Sequence, residues 1–163
     1  MSLAAARLYA CAECYASELY AGVVGPDIAF VALEPDSSER FQSLRRQLGV
    51  RSFGMNLIVL QPGQRGRIHS HDEQEEVYLV LEGKLTLLVE GAEHVLGPER
   101  LARVGPAVRR QLVNAGPERL ILLALGGSGD HVGRDGRAWT SWVDEGPGSP
   151  PQEVPLPDDL PTT

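Results

Sequence analysis

The chain has 163 residues, with 15 Lys and Arg against 22 Asp and Glu, and a formal net charge of −7 at pH 7. This length suits a single domain with one hydrophobic core. The acidic balance argues against a nucleic-acid footprint and against an anionic membrane surface. Because no apolar run reaches a membrane span and two cysteines make no disulfide framework, we expect a cytoplasmic protein without nucleic-acid or membrane partners.

Residues 1–50 are predicted to form a helical and strand-containing extension ahead of the main domain. Residues 1–24 are rich in Ala, Tyr and Leu, which is typical of a helix. They contain Cys11 and Cys14, and such a pair can be a redox couple or half of a zinc site. No second pair follows, so packing of two small side chains is the favoured interpretation, although their role stays open.

The rest of this extension predicts a strand and then a helix. Ile28–Leu33 is apolar and predicts a short strand. A helix is predicted over Asp36–Leu48, with Asp36 as its N-cap and Glu39 completing a capping box. Gly49 stands where a helix C-cap is expected.

A series of short strands is predicted over residues 51–125. About eight apolar segments follow one another at close spacing, separated by turns that contain Gly or Pro. They are Phe53–Leu60, the segment around His69 and His71, Val77–Leu81, Lys84–Val89, Glu93–Leu96, Leu101–Val104, Val108–Val113 and Arg119–Leu125. This pattern predicts an all-β domain, either a sandwich or a small barrel.

Two histidines and a glutamate form the most distinctive chemical pattern of the chain. His69 and His71 are separated by one residue, so on a strand both imidazoles point to the same face. Glu76 begins the next predicted strand and can bring a carboxylate to the same point. Two imidazoles and one carboxylate are suitable ligands for a divalent metal ion with open coordination positions.

The spacing around these residues resembles the first sequence motif of the cupin superfamily. Gly63, five residues, His69 and His71, four residues, Glu76, six residues and Gly83 reproduce it position by position. The resemblance covers about residues 51–125 and implies a double-stranded β-helix, or jelly-roll barrel. It also implies a divalent metal ion, of Mn, Fe, Ni or Zn, held by His69, His71 and Glu76.

The second motif of that family is only partly present. Asn114 anchors its alignment, and counting back four residues places Arg110 where the family has a third histidine ligand, while Ala107 replaces the turn glycine. A guanidinium has no free electron pair for a metal ion. Three arrangements stay open: a metal with more water ligands, an Arg110–Glu76 ion pair in place of the metal, or an Arg110 that holds an anionic ligand.

Three further residues are weighed for the same site. Tyr78 shares a face with Glu76 if the strand is regular, which makes it a candidate to bind a ligand or donate a proton. His94 lies on a strand without a matched partner, and we expect it at the surface or rim. His131 lies in a Gly-rich segment, and a role for either histidine as a fourth ligand is the less favoured alternative.

Residues 126–163 are predicted to form an irregular tail, because they are rich in Gly and Pro. Trp139 and Trp142 are the exception within it. Two large apolar rings are costly to leave in water, so we expect the tail to pack on the barrel or on a partner subunit through these rings.

Function cannot follow from the fold alone, because one fold hosts many chemistries. The favoured hypothesis is a small cupin that binds a small molecule, an anionic one in particular, around a metal ion on His69, His71 and Glu76. One alternative is a metal-dependent enzyme of the isomerase or dioxygenase type, and another is a metal-free pocket lined by Arg110. A structural or storage role is the least favoured. The resemblance to other small cupins also implies a homodimer.

Overall fold

The computed structural model describes residues 28–127 and 135–161. The chain divides after Leu33 into two units, and of the first unit the structure describes residues 28–33. Within these six residues Ile28 forms a single β-bridge and no strand follows it, so the strand predicted over Ile28–Leu33 is wrong. Apolar composition alone does not make a strand where no partner ladder continues along it. The helix predicted over residues 1–24, with Cys11 and Cys14, lies outside the described residues.

From Glu34 onward, the described residues form ten strands, one α-helix and one 3-10 turn. The strands are β1 (Phe41–Ser43), β2 (Gly54–Leu60), β3 (Ile68–His71), β4 (Glu75–Glu82), β5 (Leu85–Val89), β6 (Ala92–Leu96), β7 (Leu101–Val104), β8 (Arg110–Val113), β9 (Leu120–Gly127) and β10 (Gly136–Trp139). The helix is α1 (Leu44–Leu48), and the 3-10 turn covers Pro151–Glu153.

The strands build two antiparallel sheets of five strands each. The first sheet has the order β1-β2-β9-β4-β7, and the second has the order β10-β3-β8-β5-β6. Alternate side chains of both sheets point inward and form one apolar core. Its buried members are Ile58, Leu60, Tyr78, Val80, Leu85, Leu87, Val104, Leu112, Leu120, Leu122 and Ala124. The predicted all-β jelly-roll barrel is confirmed.

A glycine in a turn and a buried asparagine fix the ends of two strands. Gly83 turns the chain between β4 and β5 with φ of 76°, and a Cβ there would lie 2.3 Å from the carbonyl oxygen of Arg119. Asn114 is fully buried, and its amide donates to the carbonyl oxygens of Leu60 at 2.9 Å and Glu118 at 2.8 Å. The asparagine that anchors the second motif therefore ties the end of β8 to its neighbours.

The helix predicted over Asp36–Leu48 is largely wrong, because only Leu44–Leu48 is helical. The three residues before it, β1, pair with β2 instead, so their backbone groups are satisfied at the edge of the first sheet. Its C-terminal end is as predicted: Gly49 adopts φ of 71°, the left-handed conformation of a helix C-cap.

The C-terminal segment is more regular than its composition predicts. Strand β10 extends the second sheet beside β3. Trp139 at its end is buried, its indole N–H donates to the carbonyl oxygen of Gly146 at 2.9 Å, and the Arg109 guanidinium lies 4.0 Å above its ring. Farther along, the Leu160 amide donates to the Gly63 carbonyl oxygen at 2.8 Å. The segment thus packs along the barrel, and Trp139 is one of its anchors.

Within the ranges 28–127 and 135–161, no helix has the length and apolar character needed to cross a membrane.

Candidate metal centre

Three strands of the two sheets bring the candidate residues together. His69 and His71 lie on β3, Glu76 and Tyr78 lie on β4, and Arg110 begins β8. Because side chains alternate along a strand, the two histidines share one face of β3, and Ile68 and Ser70 are buried on the opposite face. His69 and Arg110 are direct partners across the β3–β8 pair. The alternation of side chains along the strands therefore brings these residues to one place, as the sequence predicts.

The two imidazoles converge on one carboxylate. The Nε2 atom of His69 lies 3.3 Å from Oε2 of Glu76, and the Nε2 atom of His71 lies 3.4 Å from Oε1 of the same group. Ligand atoms of these three residues all lie within 4.8 Å of one another. This is the spacing that the ligands of a single metal ion need.

Each imidazole is held from behind by an acceptor at its other nitrogen. The Nδ1 atom of His69 lies 3.1 Å from the carbonyl oxygen of Arg67, and the Nδ1 atom of His71 lies 2.8 Å from Oδ1 of Asp135. An acceptor at Nδ1 favours the tautomer that carries its proton there, which leaves the lone pair of Nε2 free for a metal. Nε2 of His71 is buried and makes no hydrogen bond. This unpartnered atom fits a site that a metal ion completes.

Asp135 is a part of the site that the sequence analysis missed. Its Oδ2 accepts hydrogen bonds from the backbone amides of Gln74 at 3.0 Å and Glu73 at 3.3 Å, and the Gln74 side chain bonds its Oδ1. These contacts orient the carboxylate that orients His71. No spacing signal could have found it, because it is 64 residues away in sequence and lies in a segment predicted to be irregular.

Arg110 lies against the carboxylate of Glu76 and is fully buried. Its Nη2 atom is 3.4 Å from Oε2 of Glu76, yet this atom makes no hydrogen bond. Its other donors are used, since Nη1 donates to the Val108 carbonyl oxygen at 2.8 Å and Nε donates to the Tyr78 hydroxyl at 3.4 Å. The guanidinium thus lies on the side of Glu76 away from His71. Because Nε and Nη1 already make hydrogen bonds, the guanidinium does not offer two free nitrogens side by side to a ligand in the cavity.

Tyr78 completes the surroundings of Glu76. Its hydroxyl donates to Oε2, the oxygen that also faces His69 and Arg110. The opposite oxygen, Oε1, faces His71. Both candidate ligand-binding residues, Arg110 and Tyr78, are therefore at the site, where they fix the orientation of the Glu76 carboxylate.

The electrostatics keep Glu76 ionised. Burial by itself would raise the pKa of Glu76, but the neighbouring imidazoles of His69 and His71 hold it well below its usual range. Burial by itself would lower the pKa of His71, yet Glu76 and Asp135 raise it above its usual value. Burial and the nearby Glu76 charge raise the pKa of Tyr78 well above its usual value, so its hydroxyl keeps its proton. The site thus offers a carboxylate ligand at neutral pH.

The remaining histidines lie elsewhere or outside the described residues. His94 is exposed on β6, opposite Leu87 of β5, and lines a cavity between β5, β6 and β7. It is therefore a rim histidine and not part of the His69, His71 and Glu76 group. His131 lies outside the described residues.

Comparisons with known proteins agree with this architecture. A family model described as a cupin domain matches residues 56–126. A comparison with curated proteins finds no match to the chain. Among solved structures, a cupin protein from Bacteroides fragilis superposes with a TM-score of 0.56 at 19% identity, covering 63% of this chain and 85% of that one. At this identity the likeness shows the fold alone.

Two solved structures are more similar in sequence. One is a proposed sugar phosphate isomerase from Acidithiobacillus ferrooxidans, with 30% identity and a TM-score of 0.51, covering 56% of this chain and 58% of that one. The other is a sugar phosphate isomerase from a cupin superfamily, from Silicibacter pomeroyi, with 32% identity and a TM-score of 0.50, covering 53% and 57%. The chain thus spans less than two thirds of either relative. Within the barrel, residues 56–126 thus match a cupin domain in sequence, and the fold agrees with that match.

Proposed function

We propose that this protein binds a divalent metal ion at His69, His71 and Glu76 and takes up a small molecule beside it. The observation that carries the proposal is the pair of Nε2 atoms, at 3.3 and 3.4 Å from one carboxylate, each with the other ring nitrogen held by an acceptor. Two imidazoles and one carboxylate leave coordination positions open for water or a ligand. A metal ion there would act as a Lewis acid on an oxygen of the bound molecule.

The residues of the chain have separate tasks in this proposal. His69, His71 and Glu76 supply the donor atoms. Asp135 fixes the ring of His71, while Arg110 and Tyr78 hold the carboxylate of Glu76 in place. Because Arg110 stands where a fourth ligand would stand, we expect more water around the metal and a lower affinity than in a site with four protein ligands.

The experiment is a calorimetric titration of protein that was purified without an affinity metal column. Mn²⁺, Ni²⁺ and Zn²⁺ are each titrated into the wild type, into His71→Ala and into His94→Ala. We expect one ion per chain in the wild type and in His94→Ala, whose histidine is exposed on β6. His71→Ala should lose this binding, because a donor atom is removed. Absence of binding in the wild type would instead favour the metal-free pocket beside Arg110.

A second candidate function is sugar phosphate isomerisation. The observation that favours it is the 30% and 32% identity to the two proteins described by that activity. The test incubates metal-loaded protein with a panel of aldose and ketose phosphates in deuterated water. Incorporation of deuterium beside the carbonyl group, lost in Glu76→Gln, would support the isomerase. No exchange with any member of the panel would reject it.

A further inference from the structure

A cavity of about 780 Å³ opens between β5, β6 and β7. Its volume lies within the range of small-molecule sites, which is about 300–1,000 Å³. Most of its wall is apolar, formed by Leu87, Val89, Leu96, Ala102, Val104 and Val108. Its polar side chains, Glu93, His94 and Arg103, are all exposed. The deeper wall thus offers few hydrogen-bonding side chains.

This cavity borders the candidate metal centre. Val104 is the direct cross-strand partner of Glu76, and Ala102 is the partner of Tyr78. On the other sheet, Val89 is the partner of Arg110. Side chains of directly paired residues point to the same face and lie within about 5.5 Å of one another. The apolar wall therefore ends at the charged groups of the site.

The two ends of this space favour different parts of one ligand. Hydroxyl groups that enter an apolar wall lose their water without gaining partners, which is unfavourable. A polyhydroxylated body such as a sugar therefore suits the wall poorly, whereas an aliphatic body suits it well. At the inner end, Arg110 and a divalent metal ion outweigh the charges of Glu76 and Asp135. A negative group on the ligand would balance this excess of positive charge.

We propose that the ligand is a small monocarboxylate with an apolar body. The body lies in the cavity against Val89, Ala102 and Val104, and the carboxylate lies at the metal centre. The inference rests on the proposed function, because the metal ion supplies part of the attraction for the carboxylate. It narrows that function to a ligand class that differs from the sugar phosphates of the two similar structures.

The test is a calorimetric series on protein loaded with the metal ion that binds most tightly. Butanoate, hexanoate and octanoate share one head group and differ in apolar length. Binding should tighten about fourfold for each added methylene until the cavity is filled. Gluconate has the chain length of hexanoate but carries hydroxyls, and it should bind at least tenfold more weakly. Gluconate or ribose 5-phosphate binding as tightly as hexanoate would overturn the proposal.

A pair of variants on β7 tests the place of binding. Ala102→Leu fills part of the cavity and should weaken hexanoate binding about tenfold or more. Leu101→Met, at a neighbouring position that is 64% exposed, should leave it unchanged. Both variants should bind the metal ion alone as the wild type does. If hexanoate affinity is the same in both variants, the cavity assignment is wrong. If Ala102→Leu fails to fold, the wild-type carboxylate series still decides the ligand class.

The metal titration separates this inference from the proposed function. If the metal ion binds and hexanoate does not, the ligand class is wrong while the metal site stands. If no metal ion binds, the series is repeated on the metal-free protein. Hexanoate binding there would keep the cavity assignment and reject the metal, and no binding in either case would reject both.

Discussion

Arg110 is the residue that sets this site apart from the family pattern. The sequence places it four residues before Asn114, at the position of a third histidine ligand, and the structure places its guanidinium 3.4 Å from Glu76. Of the three arrangements that the sequence left open, the contacts agree best with an arginine that pairs with the carboxylate. That pair does not exclude a metal ion, because His71 and Oε1 of Glu76 are on the other side.

Replacing this arginine should strengthen metal binding. Arg110→His removes a cation beside the ligands and supplies a donor atom, so we expect an increase in Zn²⁺ affinity of about 10–100-fold. Calorimetry on the wild type and the variant measures it. Arg109→His is the matched control, since Arg109 stacks on Trp139 instead of facing Glu76. Equal affinities in wild type and Arg110→His would mean that position 110 does not influence the metal.

Asp135 should matter for the metal although it donates no atom to it. In Asp135→Asn the hydrogen bond to Nδ1 of His71 weakens and the favoured tautomer is lost, so we expect an affinity about tenfold lower or more. Asp72→Asn is the control, because its carboxylate is exposed and pairs with Arg137 at 2.9 Å. Calorimetry with Zn²⁺ compares the two, and an unchanged affinity in Asp135→Asn would contradict the orienting role.

The three proposed ligands could be predicted from sequence because strand alternation places them at fixed, short spacing. Asp135 could not, since it reaches His71 through the pairing of β10 with β3, a long-range contact. Which of the three arrangements Arg110 adopts beside the other site residues was also beyond the sequence. Alignment gave its position, but its contacts with Glu76, Tyr78 and Val108 depend on the packing of three strands.

At the scale of elements, the turn before β8 holds a strained residue. Ala107 adopts φ of 58°, in the left-handed region that favours glycine, and its amide donates to the His71 carbonyl oxygen at 2.7 Å. The sequence already shows alanine where the family has the turn glycine. Tertiary contacts beside His71 therefore hold a conformation that the residue itself disfavours.

Glycine at this position should stabilise the protein. Ala107→Gly removes the steric cost of the left-handed conformation, but it also gives the unfolded chain more conformational freedom. As the net effect we expect the free energy of unfolding to increase by about 0.5–1 kcal/mol. Urea unfolding followed by circular dichroism measures the change. Ala115→Gly, an exposed loop position without positive φ, should be neutral or destabilising. A loss of stability in Ala107→Gly would show that the turn is not strained.

Most strands were predicted well, including β6 and β7 at the edges of the two sheets, whereas the edge strands β1 and β10 were not predicted. The strands of the core match their predicted segments closely because one face of each is buried. Phe41–Ser43 has a helical pattern, yet it pairs with Asn56–Ile58, because the sheet edge satisfies its backbone. Strand β10 was not predicted either, because its segment is rich in Gly and Pro. Its backbone is satisfied by pairing with β3. Edge strands are decided by their partners more than by their own composition.

At the scale of the whole molecule, the outer face of the first sheet predicts self-association. Leu101 is 64% exposed and pairs with Leu79, and Leu79 also pairs with Leu123. Apolar side chains on neighbouring strands are typical of an interaction surface. The homodimer expected from the sequence stays a prediction, and this face is its best-supported interface.

Light scattering tests that prediction. The wild type should have twice the chain mass of 17.6 kDa at micromolar concentration. Leu101→Lys should shift the mass to that of one chain, because a charge would be buried without a partner. Val143→Lys, at a position that is 86% exposed in the C-terminal segment, should leave the dimer intact. A wild type with the mass of one chain would contradict the prediction.

His69, His71 and Glu76 are proposed to hold one metal ion beside the buried Arg110. Anomalous diffraction from crystals soaked with Zn²⁺ would locate this ion. We expect one peak per chain, about 2.0–2.1 Å from the Nε2 atoms of both histidines and within bonding distance of a Glu76 oxygen. Soaked crystals with no peak there, and with Arg110 and Glu76 still paired, would contradict it.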